Sequence, residues 1–293
     1  MLHGSSAYKN TTRSRQAPYD VYKPTMKQTS DDLRNEYRDL ADLVRTLTPA
    51  QWRLRSDFYG WTPWDEIAHL CFFDETGLLS ATDPDAFATD TATLNATLAT
   101  GKEISAIARE KYGHLDGAQL LAYWEPLSTQ VVEALAALDP KARLPWYGPT
   151  MSARSFATAR LMETWAHGQD VWDVVGRRRP ATDRLRHIAH IGVTTFGWSF
   201  VNRKLPVPAV VPYIEIDAPE GGVWTWGDAA SSETIRGPAQ DFCLLVTQRR
   251  NLADTALRYS DGSARDWLRI AQCFAGPPAD APAPGVRKAA ASA

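Results

Sequence analysis

Met162-Glu-Thr-Trp-Ala-His-Gly-Gln-Asp-Val-Trp172 is an apolar helical run that carries three chemically active groups, Glu163, His167 and Asp170. Glu and His four apart on a helix share a face, with Cβ atoms about 5–6 Å apart. A carboxylate and an imidazole so placed reach one cation. Working outward, a third candidate ligand, His69, lies in Trp61-Thr-Pro-Trp-Asp-Glu-Ile-Ala-His-Leu70, also helical by pattern. Two imidazoles and one carboxylate leave a coordination position free. Open sites of that kind do chemistry, whereas closed four-ligand sites mostly hold folds together. The competing reading is a core histidine beside an ordinary i, i+4 helix pair.

Other residues carry the same choice. Asp170, three after His167, is either an acceptor that orients an imidazole N–H, or a proton carrier, or one half of an ion pair. Asp65, four before His69, better suits the positive end of a helix dipole. Arg249 and Arg250 either grip a substrate carboxylate bidentately or form a solvated helix end. His187 and His190 lack a carboxylate in the same run and read as structural or pocket-lining.

The apolar period places these motifs on a helical frame. Leu33, Tyr37, Leu40, Val44 and Leu47 mark a helix from about Ser30. Thr62-Pro63 opens a second, a cap followed by proline at the first helical position. Residues 81–100 are rich in Ala, Thr and Asp and read partly as loop, followed by a helix over 98–111. Asp116-Gly-Ala-Gln119 opens another helix that Asp139-Pro140 stops, and Ser152 to about Val175 is the helix of the opening motif. Four principal helices predict an antiparallel bundle whose interior can host a metal. Beyond it, 183–202 reads as one helix. Strands follow over 210–218, 222–226 and 231–236, then helices over 239–251 and 265–274. The expected fold class is α+β: a disordered extension over 1–28, a metal-binding helical bundle over 29–178, a smaller α+β domain over 179–276 and a disordered Pro/Ala-rich tail over 277–293.

Bulk properties narrow the function class. The 293 residues are 44% apolar and 23% charged, as in ordinary globular proteins. The net charge of −2 gives no nucleic-acid footprint. No stretch has the roughly 18–20 apolar residues of a membrane span, and the polar N-terminus has no signal-peptide core, so a cytoplasmic location is the expectation. Three widely spaced cysteines, Cys71, Cys243 and Cys273, predict neither a disulfide framework nor a cysteine zinc site. Eleven tryptophans read as core packing, with a few lining a pocket.

The Trp61–Leu70 segment resembles the first metal helix of DinB-like bundles, and Glu163-x-x-x-His167-x-x-Asp170 resembles the second metal motif of the mycothiol-dependent maleylpyruvate isomerase branch. Gly237-Pro-Ala-Gln-Asp-Phe-Cys-Leu-Leu-Val-Thr-Gln-Arg-Arg-Asn251 and Asp266–Gly276 are similar to a subgroup of metal-binding proteins of unknown activity. The resemblance implies a DinB-like four-helix bundle with a small α+β domain. It also implies His69, Glu163 and His167 as ligands of a divalent metal, zinc first, with a low-molecular-weight thiol as a second cofactor. It implies an active-site arginine from the C-terminal part, with Arg249 and Arg250 as the candidates. The expected activity is thiol-dependent transfer or isomerisation of a small organic substrate. The same ligand set also permits metal-dependent hydrolase, lyase or cyclase chemistry without thiol, or non-catalytic metal binding. A homodimer is compatible with this reading; nucleic-acid and membrane partners are not expected.

Overall fold

A computed structural model of the protein describes residues 22–287. Residues 1–21 of the expected extension and 288–293 of the expected tail lie outside them. Four helices form the bundle: α1 (Met26–Arg45), α2 (Pro63–Thr82), α5 (Gly117–Ala136) and α6 (Ala153–Val174). Between them lie α3 (Pro84–Leu98), α4 (Ile104–Tyr112) and a two-residue hairpin, β1 (Arg143–Leu144) with β2 (Met151–Ser152). Helix α1 pairs with α5 and α6, and α2 pairs with the same two, so all four close around one core.

Local chemistry explains the boundaries. Helix α1 begins earlier than the apolar period alone suggests, because Thr25 and Gln28 form a reciprocal capping box. Thr62 with Asp65 and Asp116 with Gln119 form the same device at α2 and α5. Helix α3 occupies the stretch read partly as loop. Asp83 caps it and Pro84 starts it, but only Phe87 and Leu94 are buried, so its apolar period is faint. Gly176, at φ +67°, ends α6: its N–H donates to Asp173 O and that of Arg177 to Trp172 O.

Asp74 sits at the centre of the bundle, fully buried. It accepts from Tyr37 Oη at 2.6 Å, Trp124 Nε1 at 2.8 Å and Arg160 Nε at 2.9 Å, joining all four helices.

The single helix expected over 183–202 is two, α7 (Leu185–Thr194) and α8 (Phe196–Asn202). The hydroxyls of Thr194 and Thr195 donate to carbonyls of the preceding turn and offer the backbone an alternative to the continuous ladder. Strands β3 (Tyr213–Asp217), β4 (Val223–Trp226), β5 (Thr234–Pro238) and β6 (Arg258–Tyr259) form one sheet in the order β4-β3-β5-β6. The pair β3–β5 is parallel, with Ile214 opposite Ile235; β4 and β6 are antiparallel to their neighbours. Buried Ile214, Ile216, Trp224, Trp226 and Ile235 form its inner face, with α9 (Ala239–Val246) and α10 (Ser263–Ile270) completing this part.

The two parts are joined by charge as well as packing. Buried Arg179 pairs with buried Glu36 of α1, donates to Trp165 O at 2.6 Å and stacks on the Trp165 ring. Arg184 Nε donates to the other Glu36 oxygen at 2.9 Å. Residues 277–287, read from composition as a loose tail, run back against the fold. Gln248 Nε2 donates to Ala279 O at 2.7 Å, Asn251 Nδ2 to Pro282 O at 2.8 Å, and Arg287 Nη1 to Gln248 O at 3.0 Å. Among the described residues, no helix is long and apolar enough to cross a membrane.

Candidate functional site

Helix α2 presents His69 and α6 presents Glu163 and His167 to a cavity of about 1220 Å³ between the bundle and the C-terminal part. One ligand atom from each of the three lies within 4.8 Å of the others. The His69 and His167 rings are 4.2 Å apart between centroids, and His167 Nε2 is 3.4 Å from Glu163 Oε2. Trp61 stacks on His167 at 5.9 Å, and Phe58 meets its edge at 5.6 Å. His167 is buried; His69 and Glu163 are half-buried toward the cavity.

Glu66, which the sequence reading passed over, holds His167 from behind. Its Oε2 lies 2.7 Å from His167 Nδ1, and both residues are buried. The signal was present: Glu66 shares a helical face with His69, Leu70 and Phe73, unusual company for an acid in a first turn. Asp65, by contrast, is committed to the α2 cap and to Arg109 Nε at 2.7 Å, as the dipole argument favours.

Asp170 lies behind the three-residue cluster. Its Oδ2 accepts from Arg249 Nε at 3.0 Å, and Arg287 Nη1 is 3.8 Å from its Oδ1. Ligand atoms of Glu66, His167 and Asp170 also lie within 4.8 Å of one another. Two guanidiniums flank that second group and would repel a cation there, so the His69–Glu163–His167 group is the better metal candidate.

Arg249 and Arg250 part company. Both are buried, so neither is a solvated helix end. Helix α9 stops at Val246 because Gln248 takes φ +57°. Its N–H then donates to Leu245 O and that of Arg249 to Leu244 O. This left-handed stop, usually a glycine position, turns Arg249 inward. Its guanidinium lies 4.5 Å from the Phe58 ring centroid, Nε donates to Ala166 O, and Nη2 approaches Asp170 at 2.9 Å off the hydrogen-bonding direction. Arg249 lines the cavity. Arg250 does not; it clamps Asp173 bidentately at 2.7 and 2.8 Å and anchors the chain to α6. Arg287, which lies in the expected tail, also lines the cavity, 4.9 Å from the Phe58 ring centroid.

Burial sets the protonation states. Desolvation, then the neighbouring imidazole of His167, holds His69 well below the usual imidazole range. Desolvation, then the positive charge of Arg249, does the same to His167. Both rings are therefore neutral and keep a lone pair. Desolvation raises the Glu66 carboxyl, helped by the nearby Asp170 charge. It also raises Asp170, against the pull of Arg249 and Arg287. Cys71, Cys243 and Cys273 are all buried, and desolvation pushes each thiol up.

A four-helix bundle whose α2 and α6 bring a His/Glu/His group to a cavity closed by a small α+β part has the architecture of the DinB-like class. The family description "Mycothiol maleylpyruvate isomerase N-terminal domain" matches residues 33–172. Over 247 residues the chain is 41% identical to the uncharacterized protein MT0041 of Mycobacterium tuberculosis (strain CDC 1551 / Oshkosh), covering 84% of this chain and 95% of that protein. The same figures hold for the uncharacterized protein Rv0036c of strain ATCC 25618 / H37Rv. The crystal structure of the mycothiol-dependent maleylpyruvate isomerase has the same fold, with a TM-score of 0.52 at 16% identity over 82% of this chain and 94% of that one. The chain belongs to one family with these two mycobacterial proteins, and its residues 33–172 match the mycothiol maleylpyruvate isomerase N-terminal domain family.

Proposed function

We propose that the protein is a divalent-metal-dependent enzyme of the thiol-dependent transferase or isomerase kind, acting on a small organic substrate in the cavity. The observation that carries this reading is the convergence of His69, Glu163 and His167 at the cavity wall. The residues fit a divalent ion. His69 Nδ1 is buried without a hydrogen-bond partner, an atom that lacks a proton donor or a cation. Both imidazoles are kept neutral, and Glu66 takes the His167 nitrogen turned away from Glu163, the arrangement that orients metal-bound histidines. When bound, the ion supplies Lewis acidity, which deprotonates a coordinated thiol and polarises a substrate carbonyl.

The chain's own groups do the rest. Trp61 and Phe58 wall the histidines with apolar surface, which strengthens electrostatic interactions at the site. Arg249, pinned by Asp170, sets a positive charge at the cavity wall where a substrate carboxylate can dock. The protein's thiols are buried and held protonated, which favours a nucleophilic thiol arriving from outside. The cavity is large enough for two small reactants together.

Metal analysis of the purified wild type and His167→Ala, followed by turnover assays with and without added mycothiol, tests the reading. A divalent metal at one equivalent in the wild type and its loss in the variant is expected, together with thiol-dependent turnover. Equal metal in both proteins overturns the ligand assignment. Turnover unchanged by omitting thiol replaces the transfer mechanism with a water-based one.

A further inference from the structure

The proposed chemistry uses one end of the cavity, where Arg249 and Arg287 stand beside Phe58 and the Asp170 turn of α6. In the other direction a different wall begins at His69. Phe73, one turn further along α2, shares the face of His69, and the two rings are 4.7 Å apart between centroids. Phe73 meets Trp146 at 6.1 Å and Tyr147 at 6.0 Å, both on the turn between β1 and β2. Ser80 Oγ, near the end of α2, donates to Pro145 O at 2.6 Å and fixes that turn over the helix end. Trp146 then packs edge-on against Phe156, 4.8 Å away. Phe156 lies on α6, about 10 Å before Glu163 along the helix axis. Leu94 and Leu98, which share a face of α3, and Ile104 of α4 complete this wall.

Charge separates this arm from the rest of the cavity. The residues that α3, α4 and the β1–β2 turn contribute carry no ionisable group except the Tyr147 phenol, whose oxygen is buried. Of the two arginines that α6 adds before Glu163, buried Arg160 is met by Asp74 at 2.8 Å, and Arg154 turns to Pro24 O at 3.2 Å. Phe73, Leu98, Ile104 and Trp146 pack on the core yet stay half-buried. Apolar side chains left part-open to a cavity suit an apolar guest. A charged group placed there would lose its water and find no partner. The cavity of about 1220 Å³ exceeds the roughly 300–1,000 Å³ of an ordinary small-molecule site, so a fragment reacting at the His69 group leaves the arm free.

We propose that the arm from Phe73 to Leu98 and Ile104 is a specificity subsite for an uncharged apolar body, aromatic or alkyl, on the electrophilic substrate. This deepens the reading above and rests on it: the metal group supplies the chemistry, and the arm selects which substrates reach it. The substrate class is an amphiphile, its polar reacting end at the metal group and Arg249, its apolar end beside α3 and α4.

A series of straight-chain carboxylates, butanoate to decanoate, tests the subsite. Binding to the full-length protein is read by calorimetry with and without one equivalent of zinc. Each methylene that enters the arm should tighten binding by up to about fourfold, the worth of one buried CH₂. The rise should span several successive carbons, by the same factor with and without zinc. Leu98→Trp and Ile104→Trp fill the arm, so each should halt the rise at shorter chains while butanoate binds as to the wild type. Asn95→Trp, at an exposed position on the same wall, does the same if a Leu98 or Ile104 variant fails to fold. Affinity that does not grow with chain length, or no binding of any member, overturns the subsite. A rise that every folded variant leaves unchanged puts the chain elsewhere and overturns the assignment to this arm. Either result leaves the metal reading standing. Equal metal in the wild type and His167→Ala overturns that reading instead, and the zinc-free series still reports on the arm.

Discussion

Glu66→Gln is the most informative change at the site, because it alters one charge and almost no volume. In the wild type, Glu66 Oε2 sits 2.7 Å from His167 Nδ1 and both groups are buried. A cation held by His167 Nε2 needs the proton on Nδ1, and its charge offsets the burial that raises the Glu66 carboxyl, so that Glu66 accepts this proton as a carboxylate in the metal-bound state. Hydrogen bonds to charged groups contribute about 1.5–3 kcal/mol against about 0.5–1.5 for neutral pairs. The glutamine amide therefore forfeits about 1–1.5 kcal/mol of selective support for the metal-bound state, close to tenfold in affinity. Glu66→Ala removes the partner altogether and moves toward the hundredfold limit seen for such outer contacts. Oε1 of Glu66 is buried and unpartnered, so the amide nitrogen of glutamine finds no acceptor. That penalty falls on metal-free and metal-bound protein alike and cancels from the affinity difference. Competition against a chromophoric zinc chelator measures the effect, with His167→Ala as the reference for a lost ligand. Zinc affinity of Glu66→Gln within twofold of wild type would refute the reasoning: the Nδ1 contact would then be packing, and the metal-facing nitrogen would be set elsewhere.

Three further outcomes follow from the same contacts. Arg249→Ala leaves Asp170 buried without its main partner and should cost about 3–5 kcal/mol in urea unfolding, with turnover lost as well; a loss under 1 kcal/mol would mean that Asp170 is held neutral. Asp74→Ala strips the shared acceptor from Tyr37, Trp124 and Arg160 and should destabilise by a similar amount, read as a lower denaturation midpoint. Gly192→Ala would place a Cβ 2.9 Å from Val246 Cγ2 and 3.2 Å from Phe242 Cε1, so thermal unfolding should show about 1–3 kcal/mol of destabilisation from overpacking between α7 and α9; an unchanged melting temperature would show that α9 yields freely.

The sequence was most legible where local chemistry alone fixes structure. Caps and proline at Thr62-Pro63, the acid at Asp116 and the glycine at Gly176 define helix ends within a turn, because those residues satisfy orphan backbone groups wherever the helix lies. The i, i+4 spacing likewise puts Glu163 and His167 on one face before any packing is known. Helix α3 was obscure for the converse reason: with two buried side chains it has almost no apolar stripe to detect.

What the sequence by itself determined is therefore the helical frame, the α+β class and the chemical types gathered in its two motifs. Only the tertiary structure decided which acid serves which imidazole, since Glu66 and His167 are 101 positions apart and meet through the packing of α2 on α6. It also separated Arg249 from Arg250. A backbone reversal at Gln248, held by its side-chain bonds to Ala271 O and Ala279 O, turns one arginine to the cavity and the other to Asp173. Arg287 reaches the site only because residues 277–287 fold back across it. Short-range bonding is written into neighbouring residues; burial and pairing between distant ones arise from the closed chain, where desolvation selects the charges that stay together.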